Sequence, residues 1–253
     1  RSLVKLYEKV ITVGQTRVIP HLRRFEMVQA DFQDASQALR LSQQILSRPV
    51  IDAAQLIIDS LGQGNKILVC GNGGSAADSQ HFAAELLGKF QAPLRPAIPA
   101  IALTADPAIL TAWANDVGFE DVFARQVEAL GTPGDVLIGI STSGNSKNLI
   151  RAFQTAKERG LLCLAVVGGD GGELLSLSDL GLVVPSNSTQ RIQEIQILLL
   201  HMIAALVEDE IIHQKKDLEK SLEGSQNKWD LAKKAPISVE INHKEWGNGS
   251  IER

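Results

Sequence analysis

The amino-acid sequence predicts one α/β domain, a three-layer sandwich in which helices cover both faces of a five-stranded parallel sheet. Five short segments rich in Val, Ile and Leu recur along the chain, and they are continuously apolar, as expected of strands that are buried on both faces. Segments with helical periodicity separate these strands, and such alternation is typical of right-handed crossovers in a parallel sheet. Hydrophobic residues make up 44% of the 253 residues, which is enough for one sizeable core.

The strands are separated by segments with helical features. The predicted strand ranges are 66–70, 99–104, 135–141, 162–168 and 180–186. Residues 75–90 have apolar positions at helical spacing, and residues 145–160 open on a capping residue and close on glycine. Because the carboxyl ends of parallel strands lie at one edge of a sheet, we expect a ligand-binding edge there. It would be formed by the Gly- and Ser-rich loops 71–75, 141–146 and 168–172.

Helices are also predicted before the first strand and after the last one. Residues 25–63 predict two helices divided near residues 47–50, because Pro49 is typical of the first turn of a helix. Residues 188–213 predict one long helix that is rich in Leu and Ile on more than one face. We expect much of this helix to be buried, with a neighbouring subunit as one candidate partner.

Composition changes at both ends of the chain. Residues 1–24 have some helical character but no decisive signal, and residues 214–253 are rich in Lys, Glu, Asn, Gly and Ser without sustained periodicity. We therefore expect one domain over residues 25–213, an N-terminal extension of unassigned role, and a polar C-terminal tail that is weakly ordered or docked on the surface.

Composition and charge argue against several classes of partner. Aromatic residues make up 4% of the chain and the formal net charge is −4, so we expect no nucleic-acid partner. No apolar stretch reaches the roughly 18 residues that a bilayer-spanning helix needs, and no signal peptide is visible, so we expect no membrane association and a cytoplasmic location. Cys70 and Cys163 lie in apolar strands and are predicted to be buried thiols in a reducing compartment, not a disulfide or a cysteine zinc site.

Residues 71–75, Gly-Asn-Gly-Gly-Ser, connect the first strand to a helix. Backbone N–H groups and the helix dipole at such a junction can bind an anion. The segment is not G-x-G-x-x-G and lacks a P-loop lysine, so neither a dinucleotide nor a triphosphate is indicated. The alternative is a tight turn that needs glycine for its backbone alone.

Residues 141–146, Ser-Thr-Ser-Gly-Asn-Ser, form a second junction between a strand and a helix. The hydroxyls of Ser141, Thr142, Ser143 and Ser146, together with the N–H groups of the following helix, suit a dianionic phosphate monoester without a bound cation. The alternative is a polar loop in which one serine caps the helix, but four hydroxyls in so short a segment favour phosphate binding.

Two histidines and their neighbours provide candidate chemistry. His81 and Glu85 are four residues apart, so they share a face of the predicted helix and can act as metal ligands or as an acid–base pair. An ordinary polar contact is the commoner alternative for such a pair. Gln193 and His201 are eight residues apart in the C-terminal helix and can reach one site from different turns. His201 lies in an apolar stretch, and the alternative there is a core histidine with a satisfied hydrogen bond.

Taken in order, three segments resemble the phosphoheptose isomerases of the sugar isomerase (SIS) fold. They are CGNGGSAADSQHFAAEL (70–86), the stretch from ANDVGF to STSGNS (114–146) and RIQEIQILLLH (191–201). The resemblance covers residues 25–213 and implies a flavodoxin-like sheet. It implies that sedoheptulose 7-phosphate, a phosphorylated seven-carbon sugar, is converted through an enediol to D-glycero-D-manno-heptose 7-phosphate. It also implies a homotetramer with sites shared between subunits, and an early step in the supply of heptose for lipopolysaccharide or other surface glycans.

The resemblance further implies roles for individual residues. It implies one zinc ion per subunit, held by His81, Glu85, Gln193 and His201, with Glu85 and His201 as the catalytic acid–base pair. Other residues are implied to bind the phosphate through the hydroxyl-rich loop, and the sugar through the glycine-rich loop and its neighbours. The implied substrate-binding residues are Asn72, Gly73, Gly74, Ser75, Glu85, Asn115, Asp116, Ser141, Thr142, Ser143, Ser146 and Gln193.

Two positions depart from the family pattern and leave the exact phosphosugar open. Lys89 stands where the family usually has arginine, which keeps the charge but loses the bidentate fork, and Gln190 stands where aspartate is common. The alternatives are therefore an isomerase of another phosphosugar, or a non-catalytic SIS protein of the DnaA-binding replication-regulator type. That regulator lacks the Glu and the second His of the pattern, so the presence of Glu85 and His201 here favours an enzyme.

Overall fold

A computed structural model describes residues 18–92 and 95–224 of the chain. The helices are α1 (Val18–Gly62), α2 (Gly74–Leu87), α3 (Pro107–Asp116), α4 (Val122–Leu130), α5 (Lys147–Glu158), α6 (Gly172–Leu177) and α7 (Thr189–Gly224), and a short 3-10 helix covers Phe119–Asp121. The strands are β1 (Ile67–Gly71), β2 (Ala100–Ala102), β3 (Val136–Ser141), β4 (Leu162–Gly168) and β5 (Leu180–Val184). Among the described residues, one compact unit ends at Ile211 and a second begins at Ile212, and the second includes the last helical turns up to Gly224.

The five strands form one parallel sheet in the order β2–β1–β3–β4–β5. β1 pairs with β3, with Ile67 opposite Val136, and β3 pairs with β4, with Val136 opposite Leu162. The chain adds β2 on one side of β1 and β3 on the other, and this switch point leaves a crevice at the carboxyl ends of β1 and β3. The predicted fold class, a flavodoxin-like three-layer sandwich, is confirmed.

Hydrophobic side chains fill two layers, one on each face of the sheet. On one face α1, α2 and α7 contribute Ile57, Phe82 and Leu200, and on the other face α4 and α5 contribute Phe123 and Phe153. All five side chains are at most 2% exposed. Full burial of a side chain of this kind stabilises the folded state by roughly 1.5–3 kcal/mol. Because α2 and α7 pack on the same face, residues on their outer sides can share one site.

The N-terminal helical region is one helix, and the predicted division into two helices near Pro49 is wrong. α1 runs without interruption over Val18–Gly62, with Pro49 inside it. A proline in a helix interior removes one backbone hydrogen bond and costs about 3 kcal/mol. Here the buried face continues through the proline, since Leu46 and Val50 are each 4% exposed. Burial of this face on both sides of Pro49 offsets the cost of the proline and keeps the segment helical.

The predicted strand ends agree with the structure to within two residues, whereas the flanking helices are longer than predicted. α1 begins inside the predicted N-terminal extension, and α7 continues past residue 213 to Gly224. Residues 1–17 and 225–253, which hold the rest of the predicted extension and tail, lie outside the described residues. Within the described part of the chain, no helix is both long and apolar enough to cross a membrane.

Cys70 in β1 and Cys163 in β4 are buried free thiols, as predicted. Burial raises the pKa of both thiols above the ordinary value. Neither side chain is therefore a reactive thiolate at neutral pH, and both act as small apolar groups in the sheet.

A buried carboxylate joins β1 to β3 at their amino-terminal ends. The side chain of Asp135 is 0% exposed, and its Oδ2 atom lies 2.6 Å from Nζ of Lys66. Asp135 also accepts hydrogen bonds from the backbone N–H of Lys66 at 2.9 Å and of Thr132 at 2.7 Å. Burial alone raises the pKa of Asp135, but the hydrogen bonds from Lys66 and Thr132 outweigh it and hold the pKa below its ordinary value.

The D135N variant is expected to unfold more easily than the wild-type protein. Breaking a buried ion pair costs about 3–5 kcal/mol, and the partial exposure of Lys66 reduces this loss to about 2–3 kcal/mol at pH 7. Because the folded-state pKa of Asp135 is lowered, the stabilisation is present above the unfolded-state pKa of about 3.9 and is lost as the pH falls through the folded-state value. Urea unfolding of both proteins between about pH 3 and pH 7 measures this difference. A difference in unfolding free energy that grows toward acidic pH would contradict the assignment.

Candidate active site

Two loops and two helices meet at the carboxyl edge of the sheet. The glycine-rich loop 71–75 leads from β1 into α2, and the hydroxyl-rich loop 141–146 leads from β3 into α5. α7 starts at the same edge after β5 and packs beside α2 on one face of the sheet. The predicted placement of both loops at one edge is confirmed.

His81, Glu85 and His201 meet in the groove between α2 and α7. His81 Nε2 lies 3.1 Å from Glu85 Oε1 and 3.4 Å from His201 Nε2. One nitrogen or oxygen atom from each residue lies within 4.8 Å of the other two. At 1.5 Å per residue, this cluster lies about 10–18 Å along the helices from their first residues. The candidate site therefore has two parts, one at the sheet edge and one in the groove.

The cluster has the donor set and the spacing of a zinc site. Zinc binds histidine nitrogen and carboxylate oxygen at about 2.0–2.2 Å in a tetrahedral arrangement, which places neighbouring ligand atoms about 3.4 Å apart. The separations of 3.1 and 3.4 Å around His81 fit this spacing. The side chains of His81 and Glu85 are 46% and 24% exposed, so a ligand can reach the position between them. The residues present therefore fit the predicted ion.

Two aromatic rings contact the imidazole of His201. The ring of Phe90 stacks on it with centroids 5.7 Å apart and planes inclined by 30°. The ring of His81 meets it edge to face with centroids 4.9 Å apart. His201 is partly exposed and faces the groove, so it does not lie in the apolar core that its sequence neighbours indicate.

Asp78 is a charged neighbour of the cluster that the sequence analysis missed. It lies on α2 one turn before His81 and is partly buried. Burial raises the pKa of its carboxyl above the ordinary value, although the nearby His81 and His201 oppose the rise. Asp78 could have been predicted from the sequence, because it precedes His81 by three residues and residues at that spacing share a helix face.

Gln193, the fourth predicted ligand, lies near the start of α7 against the glycine-rich loop. A Cβ atom on Gly74 would lie 2.7 Å from Gln193 Nε2, so any larger residue at this position would require the Gln193 amide to shift. Gly73 has a φ of +57° and open space beside it, whereas the Ser75 side chain is buried in the first turn of α2. The role of Gln193 as a metal ligand, and of these loop residues in substrate binding, stays a prediction.

An open pocket of about 430 Å³ lies between the loops that follow β3 and β4 and the start of α7. Thr142 and Ser143 line it, so two of the four residues that supply the predicted hydroxyls border the pocket. Ser141 instead accepts a hydrogen bond from the backbone N–H of Gly144 at 3.1 Å, and its Oγ lies 3.5 Å from that of Ser146. The predicted loop 168–172 contributes Gly168, Gly169 and Asp170 to the lining, and the lining residues that the sequence analysis missed are Asn187, Thr189 and Ile192. Hydroxyl, amide and backbone groups at this edge are suited to a phosphate oxygen.

A pair of asparagines joins the two loops. Asn72 and Asn148 donate to each other through their side-chain amides, and both hydrogen bonds are 2.9 Å long. Asn148 lies in the first turn of α5 and is 3% exposed. The pair fixes the glycine-rich loop relative to the hydroxyl-rich loop, and Asn148 is a further residue that the sequence analysis missed.

Asn115 and Asp116 lie at the exposed end of α3. Asn115 Nδ2 donates a hydrogen bond to Asp116 Oδ1 at 2.7 Å. The structure does not bring Asp116 into the cluster of His81, Glu85 and His201. The implied contact of Asn115 and Asp116 with the sugar therefore stays a prediction.

Comparisons with known proteins agree in the family they indicate. A family model for the SIS domain matches residues 32–168. The chain is 48% identical to the phosphoheptose isomerase of Helicobacter pylori (strain P12) over 189 residues, which cover 75% of this chain and 98% of that protein. The solved structure of a phosphoheptose isomerase from Neisseria gonorrhoeae is similar at 46% identity with a TM-score of 0.69, over 73% of this chain and 98% of that one. The structure of one from Francisella tularensis is similar at 37% identity with a TM-score of 0.72, over 74% and 98% of the two chains.

Proposed function

The chain belongs to the phosphoheptose isomerase family of SIS-domain proteins, and we propose that it converts sedoheptulose 7-phosphate to D-glycero-D-manno-heptose 7-phosphate. The observation that carries this proposal is the meeting of Glu85 and His201 in one open groove, from helices that are far apart in sequence. A non-catalytic regulator is not favoured, because a protein that only binds a phosphosugar does not need a carboxylate and an imidazole side by side. The product would supply heptose for lipopolysaccharide or other surface glycans, and the reaction would take place in the cytoplasm.

Glu85 and His201 have the chemistry that an aldose–ketose isomerisation requires. The Glu85 carboxylate takes a proton from C1 of the ketose while His201 donates a proton to the C2 carbonyl oxygen, which gives an enediol. The proton on Glu85 then returns to C2, and His201 removes the proton from the oxygen on C1, which gives the aldose. A carboxylate suits proton transfer at carbon, and an imidazole, which can both donate and accept a proton, suits transfer between oxygens.

The two parts of the site suit the two ends of the substrate. The phosphate lies on C7 and the reacting carbons are C1 and C2, at opposite ends of the sugar. We assign the phosphate to Thr142 and Ser143 at the sheet edge and the reacting carbons to the groove cluster, because the first line an open pocket and the second brings a carboxylate and two imidazoles together. Binding of the remote phosphate orients the sugar, so its binding energy supports the reaction at the far end.

We also propose that His81, Glu85, Gln193 and His201 hold one zinc ion per subunit. Bound zinc supplies a Lewis acid that polarises the carbonyl oxygen and stabilises the negative charge of the enediolate. His81 Nε2 lies within hydrogen-bond distance of Glu85 and close to His201, so it orients both side chains. The donor set and the spacing of His81, Glu85 and His201 support this proposal, and Gln193 enters it through the family resemblance.

The E85Q and H201Q variants are expected to lose at least about 100-fold in kcat, because general acid–base catalysis contributes about 10²–10⁴-fold. Neither side chain lines the pocket at the sheet edge, so the affinity for the phosphosugar should change little. Formation of heptose 7-phosphate from sedoheptulose 7-phosphate measures kcat, and calorimetry with the substrate measures binding. E128Q on α4, an exposed glutamate in an ion pair with Arg125, is the matched control and should keep full activity. Full activity in E85Q or H201Q would refute the roles assigned to these residues.

Replacing either histidine of the cluster is expected to weaken zinc binding by more than about 100-fold, because even loss of a group behind the ligands costs about 10–100-fold. Protein stripped of metal by a chelator is titrated with zinc in competition with a chromophoric chelator. H81Q and H201Q are compared with H21Q, which removes an exposed histidine of α1 and should bind zinc as the wild-type protein does. Equal zinc affinity in all four proteins would exclude the cluster as the metal site.

We propose that α1 and α7 form the surface through which the chain assembles into a homotetramer. Large apolar side chains on α1 face solvent in the isolated chain, including Met27 at 59%, Phe32 at 68% and Ile45 at 53% exposure. An apolar groove between α1 and α7, lined by Leu39 and Met202 among others, lies beside them. Exposed apolar side chains and an apolar groove of this kind are typical of a protein–protein interface, and identical chains commonly associate through symmetric patches.

The wild-type protein is expected to sediment at about four times the chain mass of 27.3 kDa. F32E replaces an exposed apolar side chain of α1 by a charged one and should shift the protein toward smaller species, since a buried unpaired charge is costly. Q44E, which changes an exposed polar residue of the same helix, controls for the added charge. Sedimentation equilibrium measures all three masses, and a monomeric wild-type protein would refute the proposed assembly.

A further inference from the structure

Arg95 and Glu208 form an ion pair that is almost fully buried. Their side chains are 1% and 4% exposed, and Arg95 Nε lies 2.5 Å from Glu208 Oε2. Arg95 comes from the segment between α2 and β2, and Glu208 comes from α7. The pair therefore joins α7 to the segment that follows α2, and the proposed reaction assigns no role to either side chain.

Glu208 fixes the first residues after α2. Its carboxylate accepts hydrogen bonds from the backbone N–H groups of Phe90, Gln91 and Ala92, at 3.2, 2.7 and 2.8 Å. Phe90 is the residue whose ring stacks on His201. Glu208 lies seven residues after His201, so both project from nearly the same face of α7. Glu208 holds the backbone of Phe90, and the ring of Phe90 in turn supports the imidazole of His201.

Arg95 fixes the last turn of α2. Its Nη2 donates a hydrogen bond to the backbone carbonyl of Glu85, and its Nη1 donates to the carbonyl of Pro96 at 2.8 Å. Carbonyls in the last turn of a helix have no partner within the helix, and a cation there also complements the helix dipole. The Arg95 guanidinium thus holds the backbone of Glu85, whose carboxylate lies beside His81 and His201.

We propose that Arg95 and Glu208 are positioning residues, which set the distance between Glu85 on α2 and His201 on α7. The inference rests on the proposed isomerase function, in which these two side chains exchange protons with neighbouring atoms of one substrate. Arg95 donates a hydrogen bond to the backbone of Glu85 and pairs with Glu208 on α7, the helix that carries His201. A change in the Arg95–Glu208 pair therefore moves the Glu85 carboxylate relative to the His201 imidazole. A displacement of about 1 Å in such an arrangement costs about 100-fold in rate.

The R95K variant separates positioning from ion pairing. Lysine keeps the charge and can pair with Glu208, but its single nitrogen cannot also reach the carbonyls of Glu85 and Pro96. We expect kcat to fall about 10–100-fold, and KM for sedoheptulose 7-phosphate to change less than about 2-fold because the phosphate pocket is untouched. E208Q keeps the shape of the side chain without its charge, and it should lower kcat in the same way.

The matched control is D135N, which breaks a second ion pair that has a buried carboxylate. That pair joins β1 to β3 and contacts neither α2 nor α7 through its hydrogen bonds. D135N should lose stability but keep the wild-type kcat when every variant is assayed well below its unfolding temperature. Wild-type kcat in R95K and E208Q would overturn the positioning role, and so would an equal loss of kcat in D135N.

A second readout does not depend on turnover. Zinc affinity of chelator-stripped protein, measured by competition, is expected to be about 10-fold weaker in R95K and E208Q and unchanged in D135N, as for groups that orient ligands. If the wild-type protein does not convert sedoheptulose 7-phosphate, the proposed function fails, and the zinc comparison then decides the positioning role by itself. If the wild-type protein is active and both variants match it in kcat and zinc affinity, the positioning role alone fails.

Discussion

The packing of α7 against the sheet is the contact on which the rest of the candidate site depends. α7 buries Leu200 and Ile203 completely, and Gln196 Nε2 donates hydrogen bonds to backbone carbonyls of β3 and β4 at 3.3 and 2.8 Å. Rotation of the helix about its axis would expose the apolar side chains and break both hydrogen bonds, so its rotation is fixed. With that rotation fixed, Gln193 lies against the start of α2 and His201 faces the middle of α2.

The parallel topology explains why the site is divided between a sheet edge and a groove. β1 and β3 are neighbours, so the loops that follow them emerge side by side, and the amide pair of Asn72 and Asn148 joins them. The helices that leave this edge carry further groups away from it at about 1.5 Å per residue. The two parts of the candidate site are therefore separated along α2 and α7, and a substrate that used both would have its phosphate and its reacting carbons at opposite ends.

Sequence patterns predicted the strands well, because burial on both faces leaves a continuous apolar signal within a short window. Pro49 gave a wrong prediction of a helix boundary. The preference of proline for the first turn of a helix is outweighed here by the buried face of α1, which continues on both sides of Pro49. The role of His201 as a ligand and acid–base group was predicted from the family resemblance, because its apolar sequence neighbours alone favour a histidine in the core. Asn148 and Glu208 were missed because their partners lie 76 and up to 118 positions away. Periodicity within one element reports which face is buried but not which residue of another element meets it.

The buried pair of Arg95 and Glu208 shows why a charged group can be retained where apolar residues would pack as well. Buried ion pairs add little to stability, because desolvation offsets the attraction between the charges. An apolar replacement would, however, leave the carbonyl of Glu85 and the N–H groups of residues 90–92 without the partners they have now. Each unpartnered buried backbone group costs about 1–3 kcal/mol. The pair therefore supplies hydrogen-bond partners both to a carbonyl in the last turn of α2 and to the N–H groups of residues 90–92. It also connects the backbone of Glu85 to α7, the helix that carries His201.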